Sequence, residues 1–130
     1  MSQFPALAHV AVTVTDLERS RSWYQRLFDA DPVLDEDTGP FHHVVWLLGD
    51  TLFGIHQHSS LSSAEPFDEL RPGLDHVAFG CRNRLELEEW ASRLSSLGIA
   101  HNGVTDAPYG SGLSFRDPDN IALELFAPPG

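Results

Sequence analysis

The sequence predicts an α+β fold built from two βαβββ modules, and three observations predict it. First, the chain repeats itself: LAHVA at 7–11 returns as LDHVA at 74–78, which sets His9 and His76 67 residues apart. The same shift places Trp23 on Trp90, Arg26 on Arg93 and Leu27 on Leu94, and sets Asp16, a candidate helix N-cap, on Asn83, another. Second, each copy opens with an alternating β-forming run followed by a helical stripe. Third, two copies of this length are too few for a solenoid and read instead as a duplicated module.

The elements follow in order. In the first module, about 6–58, a strand at 7–14 (LAHVAVTV) leads into a helix in which Thr15 and Glu18 have capping-box spacing. Leu17, Trp23/Tyr24 and Leu27/Phe28 recur on one face of that helix. Strands are expected at about 31–36, 42–49 and 51–58, with a turn at LGDT, 48–51. A polar, proline-containing linker runs from 59 to 73. The second module, about 74–127, has a strand at 74–80 and a helix with Asn83 and Glu86 at capping spacing. Leu85, Trp90, Leu94 and Leu97 form its stripe. Strands follow at 99–104, 111–116 and 120–127, the last two separated by the DPDN turn at 117–120. Aligning the last strands needs a shift of 68, with FGIHQ (53–57) on IALEL (121–125), and then His56 falls on Glu124.

Period-two alternation sorts each strand into two faces. One face carries Val10, Val12, Val14, Phe53, Ile55, Val77, Phe79, Leu123 and Leu125, bulk suited to packing under the helices. The other carries His9, His56, His76 and Glu124, flanked largely by Ala11, Gly54, Ala78, Gly80 and Ala122. Small neighbours around polar groups leave room for a ligand. A carboxylate inside the apolar run IALELF is costly to bury unless a cation meets it. Histidine and carboxylate are donors suited to zinc, nickel, iron, manganese or cobalt. The expectation is one divalent metal held by His9, His56, His76 and Glu124, enclosed by a curved mixed sheet. Open positions on the ion would take adjacent substrate oxygens.

Composition excludes other chemistry. With 19 acidic against eight basic residues and a net charge of −11, the chain lacks the cationic surface that a phosphate backbone requires. All eight basic residues are arginines, so no lysine is present for a Schiff base or a P-loop. Cys81 is the single cysteine and sits in an apolar segment, a structural setting for a thiol. MSQFPALAHV has no basic region followed by an apolar run, and no stretch approaches the roughly 20 apolar residues that span a bilayer. Neither nucleic acid nor membrane is an expected partner, and cytoplasm is the expected compartment.

LAHVAVTVTDLERSRSWYQRLF, LDHVAF and SFRDPDNIALELF together resemble the vicinal oxygen chelate superfamily over essentially the whole chain. That superfamily includes glyoxalase I, extradiol dioxygenases, methylmalonyl-CoA epimerase, fosfomycin-resistance transferases and bleomycin-resistance proteins. The resemblance implies metal ligands on the first and last strands of each module, positions held here by His9, His56, His76 and Glu124. It implies lyase, isomerase or dioxygenase chemistry on a small molecule, with a homodimer as a plausible assembly. A dioxygenase-type site needs two histidines and a glutamate, which His9, His76 and Glu124 would supply, leaving His56 as an extra ligand or an acid/base group. The alternative is a non-catalytic antibiotic-binding protein of the bleomycin-resistance type, although such members generally lack metal ligands. Among secondary residues, Glu124 and His58 are candidates for acid/base work, and Tyr109 in DAPYGSG for a substrate hydrogen bond. His42 and His43 read as rim residues, His101 as an exposed edge-strand residue, and Arg71 and Arg116 as surface residues.

Overall fold

The computed structural model describes residues 3–61 and 65–130, so the 62–64 part of the expected linker lies outside the described residues. The chain divides into two units, Met1–Ala64 and Glu65–Gly130. Each is a four-stranded mixed sheet covered on one face by a helix.

Unit 1 contains β1 (His9–Thr13), α1 (Leu17–Phe28), β2 (Leu34–Asp37), β3 (Phe41–Leu48) and β4 (Thr51–His58). Its strand order is β1-β4-β3-β2, with β1 parallel to β4 and the other pairs antiparallel. The N-cap of α1 is Asp16, whose carboxylate accepts from the Arg19 amide at 3.2 Å. The Leu17 amide, another N-terminal donor without a partner in its own helix, donates to Gln57 Oε1 at 2.7 Å and fastens the helix to β4. Asp29 ends the helix in the left-handed conformation at φ 51°. Val12, Val14, Val44, Trp46, Phe53 and Ile55 are buried beneath Tyr24 and Leu27 of the helix. This is the bulky face that the alternation predicts. Tyr24 packs its ring 5.1 Å from Phe53 and 6.2 Å from Trp46, and Trp46 Nε1 donates to the Ala30 carbonyl at 3.0 Å.

Unit 2 repeats the plan with β5 (Val77–Gly80), α2 (Arg84–Ser96), β6 (Thr105–Ala107), β7 (Gly110–Arg116) and β8 (Ala122–Ala127). The order is β5-β8-β7-β6, with β5 parallel to β8. Asn83 caps α2 by accepting from the Glu86 amide at 3.0 Å. Leu87 and Leu94 pack on Leu113, Phe115, Leu123 and Leu125, all buried. The sequence reading misplaces one element. The segment 99–104 is not a strand, and the short edge strand lies at 105–107, after Gly103 with its positive φ of 81°. His101 is accordingly not in a strand; Ser95 Oγ lies 2.8 Å from its Nε2, and the Gly103 amide donates to its Nδ1.

The DPDN turn is held from within. Buried Asp117 accepts from the amides of Asp119 and Ile121, both at 2.8 Å, while Asn120 takes a left-handed φ of 66°. The end of the linker is tied to this turn. The Phe67 amide donates to the Asp119 carbonyl, and Arg116 donates to both Glu69 oxygens, at 2.6 and 3.2 Å. The fork of Arg116 holds the Glu69 carboxyl down at about 2, and Arg84 with Ser111 does the same for Asp106. Both groups are depressed below their unfolded values, so their contribution is complete above about pH 4.5 and is lost as pH falls toward 2. Acid-unfolding curves of Glu69→Gln should therefore flatten in that window relative to wild type and coincide with it at pH 2. Equal slopes would remove Glu69 from the titration.

Candidate functional site

The face of each sheet turned away from its helix carries the candidate residues. In unit 1, β1 and β4 are paired so that Ala11 lies beside Gly54 and Thr13 beside His56, whereas His9 lies beside Leu52. His56 is thus four positions along β4 from the partner of His9, on the order of 13 Å of strand. His56 instead belongs to a cluster of its own. His43 is directly across on β3, ring centroids 5.0 Å apart, and Phe41 stacks on His56 at 4.8 Å. Glu36 continues the row on β2, with its Oε1 3.1 Å from His43 Nε2. Burial, followed by the charges of His43, His58 and His9, pushes His56 below the ordinary histidine value, which favours the neutral imidazole. His58 is exposed at the strand end, 5.8 Å from the Phe41 ring.

In unit 2, Glu124 lies on β8 between Ala78 on β5 and Ser114 on β7. It is half-buried, and among the described residues its carboxylate makes no hydrogen bond or ion pair. It lines a pocket of about 220 Å³ together with Thr105, Tyr109, Gly112, Ser114 and Phe126. Tyr109 and Glu124 therefore share one pocket, and the Tyr109 ring, mostly exposed, stands 6.3 Å from Phe126. His76 precedes β5, and its Nδ1 lies 2.7 Å from the Asp75 carboxylate. A carboxylate on one ring nitrogen fixes the tautomer and leaves Nε2 as the electron-pair donor, the usual support of a metal-binding histidine. Within neither unit do three described His, Cys, Asp or Glu side chains stand close enough together to hold an ion.

Strand pairing corrects the repeat alignment. Val10 pairs with Phe53, and its counterpart Val77 pairs with Leu123. The fourth strands therefore correspond with a shift of 70 rather than 68. Gly54 occupies the place of Glu124, and His56 occupies the place of Phe126. Thus His56 and Glu124 are not equivalent donors.

The remaining residues sort by their partners. His42 lies 2.5 Å from Asp35, which Arg21 also meets at 3.2 Å. These groups edge a cleft of about 370 Å³ that includes His58 but none of the four donor candidates. His43 is not a rim residue, since its side chain is only 16% exposed and faces His56. Arg71 and Arg116 are paired with Glu65 and Glu69. Burial pushes the Cys81 thiol up to about 11, so it is not a thiolate nucleophile near neutrality. Sequence reasoning passed over Glu36, Asp75 and Ser114, and read His43 as a rim residue. The Asp75–His76 adjacency was the signal available for one of them, whereas Glu36 and Ser114 enter only through cross-strand pairing. No helix among the described residues is long and apolar enough to cross a membrane.

A model of the Glyoxalase/Bleomycin resistance protein/Dioxygenase superfamily matches residues 6–125. The fosfomycin resistance protein FosX of Mesorhizobium japonicum is 29% identical over 124 residues, covering 92% of this chain and 83% of that one. A Bacillus subtilis protein named as a ring-cleaving dioxygenase, MhqA, is 38% identical over 50 residues, which are 38% of this chain and 16% of that protein. Among solved structures, a glyoxylase/bleomycin resistance protein/dioxygenase domain from Frankia sp. EAN1pec superposes with a TM-score of 0.87 at 31% identity, covering 98% of this chain and 94% of the other.

Proposed function

Because the chain belongs to the glyoxalase/bleomycin resistance protein/dioxygenase superfamily, we propose that it is a metal-dependent enzyme acting on a small oxygen-bearing molecule, with His9, His76 and Glu124 as its metal donors. The observation that carries this reading is Glu124. A half-buried carboxylate without an ion pair or hydrogen bond among the described residues, set in a pocket, is expensive to maintain unless a cation meets it there. Both histidines offer a ring nitrogen: His76 is oriented by Asp75 through Nδ1, and the His9 side chain makes no hydrogen bond among the described residues. When bound, a divalent ion of the zinc, nickel, iron, manganese or cobalt type supplies Lewis-acid polarisation of adjacent substrate oxygens.

The chain's own groups do the rest. The Tyr109 hydroxyl donates to substrate from the mouth of the unit 2 pocket, and the small residues along its floor admit only a small molecule. His56, held toward the neutral form, is the acceptor we assign to a substrate proton, with His58 at the strand end as the second acid/base candidate. His43 is held in place by Glu36 and fixes the face of the His56 ring. The assembly we propose is a cytoplasmic homodimer with a small-molecule substrate, checked by sedimentation.

Elemental analysis of protein prepared without a polyhistidine tag tests the metal reading, with about one ion per chain expected. His9→Gln, His76→Gln and Glu124→Gln should each lose that ion, and His56→Gln should retain it. Retention by all four variants would sink the donor assignment. Turnover should be sought on hemithioacetals of 2-oxoaldehydes, on catechols with oxygen consumption followed, and on fosfomycin, the drug named for the FosX relative. The second reading, an antibiotic- or metabolite-binding protein, requires ligand affinity that a chelator leaves unchanged and no turnover on any of the three.

A further inference from the structure

Gly112 sits in the middle of β7, where a glycine weakens a strand and calls for a reason. Its backbone does not supply one, since Gly112 is absent from the positive-φ residues. Nor does a close approach of backbone: the three nearest atoms to a Cβ built on Gly112 all belong to the Glu124 side chain, Cδ at 3.3 Å and the two carboxylate oxygens at 3.5 and 3.6 Å. The neighbouring Gly110 differs on both counts, with φ at 144° and a Cβ that would lie 2.5 Å from the Ala127 carbonyl.

The other half of the molecule carries the reciprocal arrangement. Gly112 pairs with Phe126 just as His43 pairs with His56, and Glu124 stands where unit 1 has Gly54. In unit 1 the β4 position is empty and the diagonal position on the neighbouring strand is filled by His43. In unit 2 the β8 position is filled by Glu124 and the diagonal position, Gly112, is empty. Diagonal neighbours across an antiparallel pair are within reach of a long side chain, so one of the two must yield space.

We infer that Gly112 is a positioning residue: the side chain it lacks is the space in which the Glu124 carboxylate lies, and that space aims the carboxylate into the unit 2 pocket. This rests on the reading of Glu124 as a metal donor. Adding atoms at Gly112 displaces the far end of a flexible side chain and leaves the backbone where it is. The fold should therefore tolerate the change while the donor is moved off its position.

The test is Mn²⁺ titrated into chelator-treated full-length protein, with free ion followed by electron paramagnetic resonance and the metal-free thermal midpoint measured alongside. Gly112→Ala should weaken Mn²⁺ binding several-fold, and Gly112→Val by about 10–100-fold, the range for losing an outer support of a metal ligand. The metal-free midpoints of both should equal or exceed that of wild type, because alanine and valine suit a strand better than glycine. Gly80→Ala is the control, since Gly80 flanks the same Phe126 on β5 and its added methyl meets nothing within 4 Å. It should leave Mn²⁺ binding unchanged and, like the other two, should not lower the metal-free midpoint. Binding within twofold of wild type in folded Gly112→Val would overturn the inference. So would a metal-free midpoint that drops in Gly112→Ala, which would make the glycine structural. A wild-type chain that takes up neither Mn²⁺ nor Zn²⁺ would overturn the metal reading itself, and this inference with it.

Discussion

Glu124→Gln is expected to abolish stoichiometric metal uptake, and any turnover found for the wild type should fall by at least about 10³-fold, while the metal-free protein becomes no less stable. The two halves of that expectation come from one fact. On the proposed reading Glu124 is an anionic donor, and its half-buried carboxylate has no hydrogen bond or ion pair among the described residues. Replacing it with an isosteric neutral amide removes the charge that would hold the ion. The same change leaves no carboxylate charge to be solvated, so the metal-free fold loses no partner of that group. A purely structural glutamate would behave in the opposite way, with stability lost on substitution and metal content unaffected. Elemental analysis and urea unfolding of the chelator-treated variant separate the two. A metal-free midpoint well below wild type, with metal retained, would rule out the donor role.

Trp46→Ala should be the most destabilising single change in unit 1, at about 3–5 kcal/mol. The ring is fully buried on β3, packs against Tyr24 and Phe28 at 6.2 and 5.5 Å, and donates its indole N–H to the Ala30 carbonyl. Truncation leaves a cavity under α1 and a carbonyl without its donor, two costs in the same direction. Trp46→Phe keeps most of the volume and loses the hydrogen bond, so it should cost about 1–2 kcal/mol beyond its smaller packing loss. Urea unfolding at equilibrium measures both. A cost below about 1 kcal/mol for Trp46→Ala would mean that the helix does not depend on this contact.

Most of the fold was legible because its signals are local. The caps Asp16 and Asn83, the buried stripe of Tyr24 and Leu27, and the alternation of Val12 on β1 with Val14 just beyond it, and of Phe53 and Ile55 on β4, each depend on residues a few positions apart. The segment 99–104 failed because an edge strand of three residues, Thr105–Ala107, is too short to establish a period, and IAHNGV has as much β-forming character as the strand itself. The candidate site was legible in part. His9, His76 and Glu124 stand out by residue type, but the placing of Glu36 and His43 beside His56, and of Gly112 beside Glu124, does not, because cross-strand pairs leave no mark in either strand alone.

By itself the sequence determined the duplicated βαβββ plan, the face of each strand that packs beneath a helix, and the residue types offered on the other face. Only the tertiary structure decided where along the fourth strands the two repeats correspond. Side chains on a strand return to the same face every second residue, so a shift of 68 and a shift of 70 predict identical faces for every side chain. The two shifts differ by about 7 Å along the strand, and only the backbone hydrogen bonds between β1 and β4, and between β5 and β8, distinguish them.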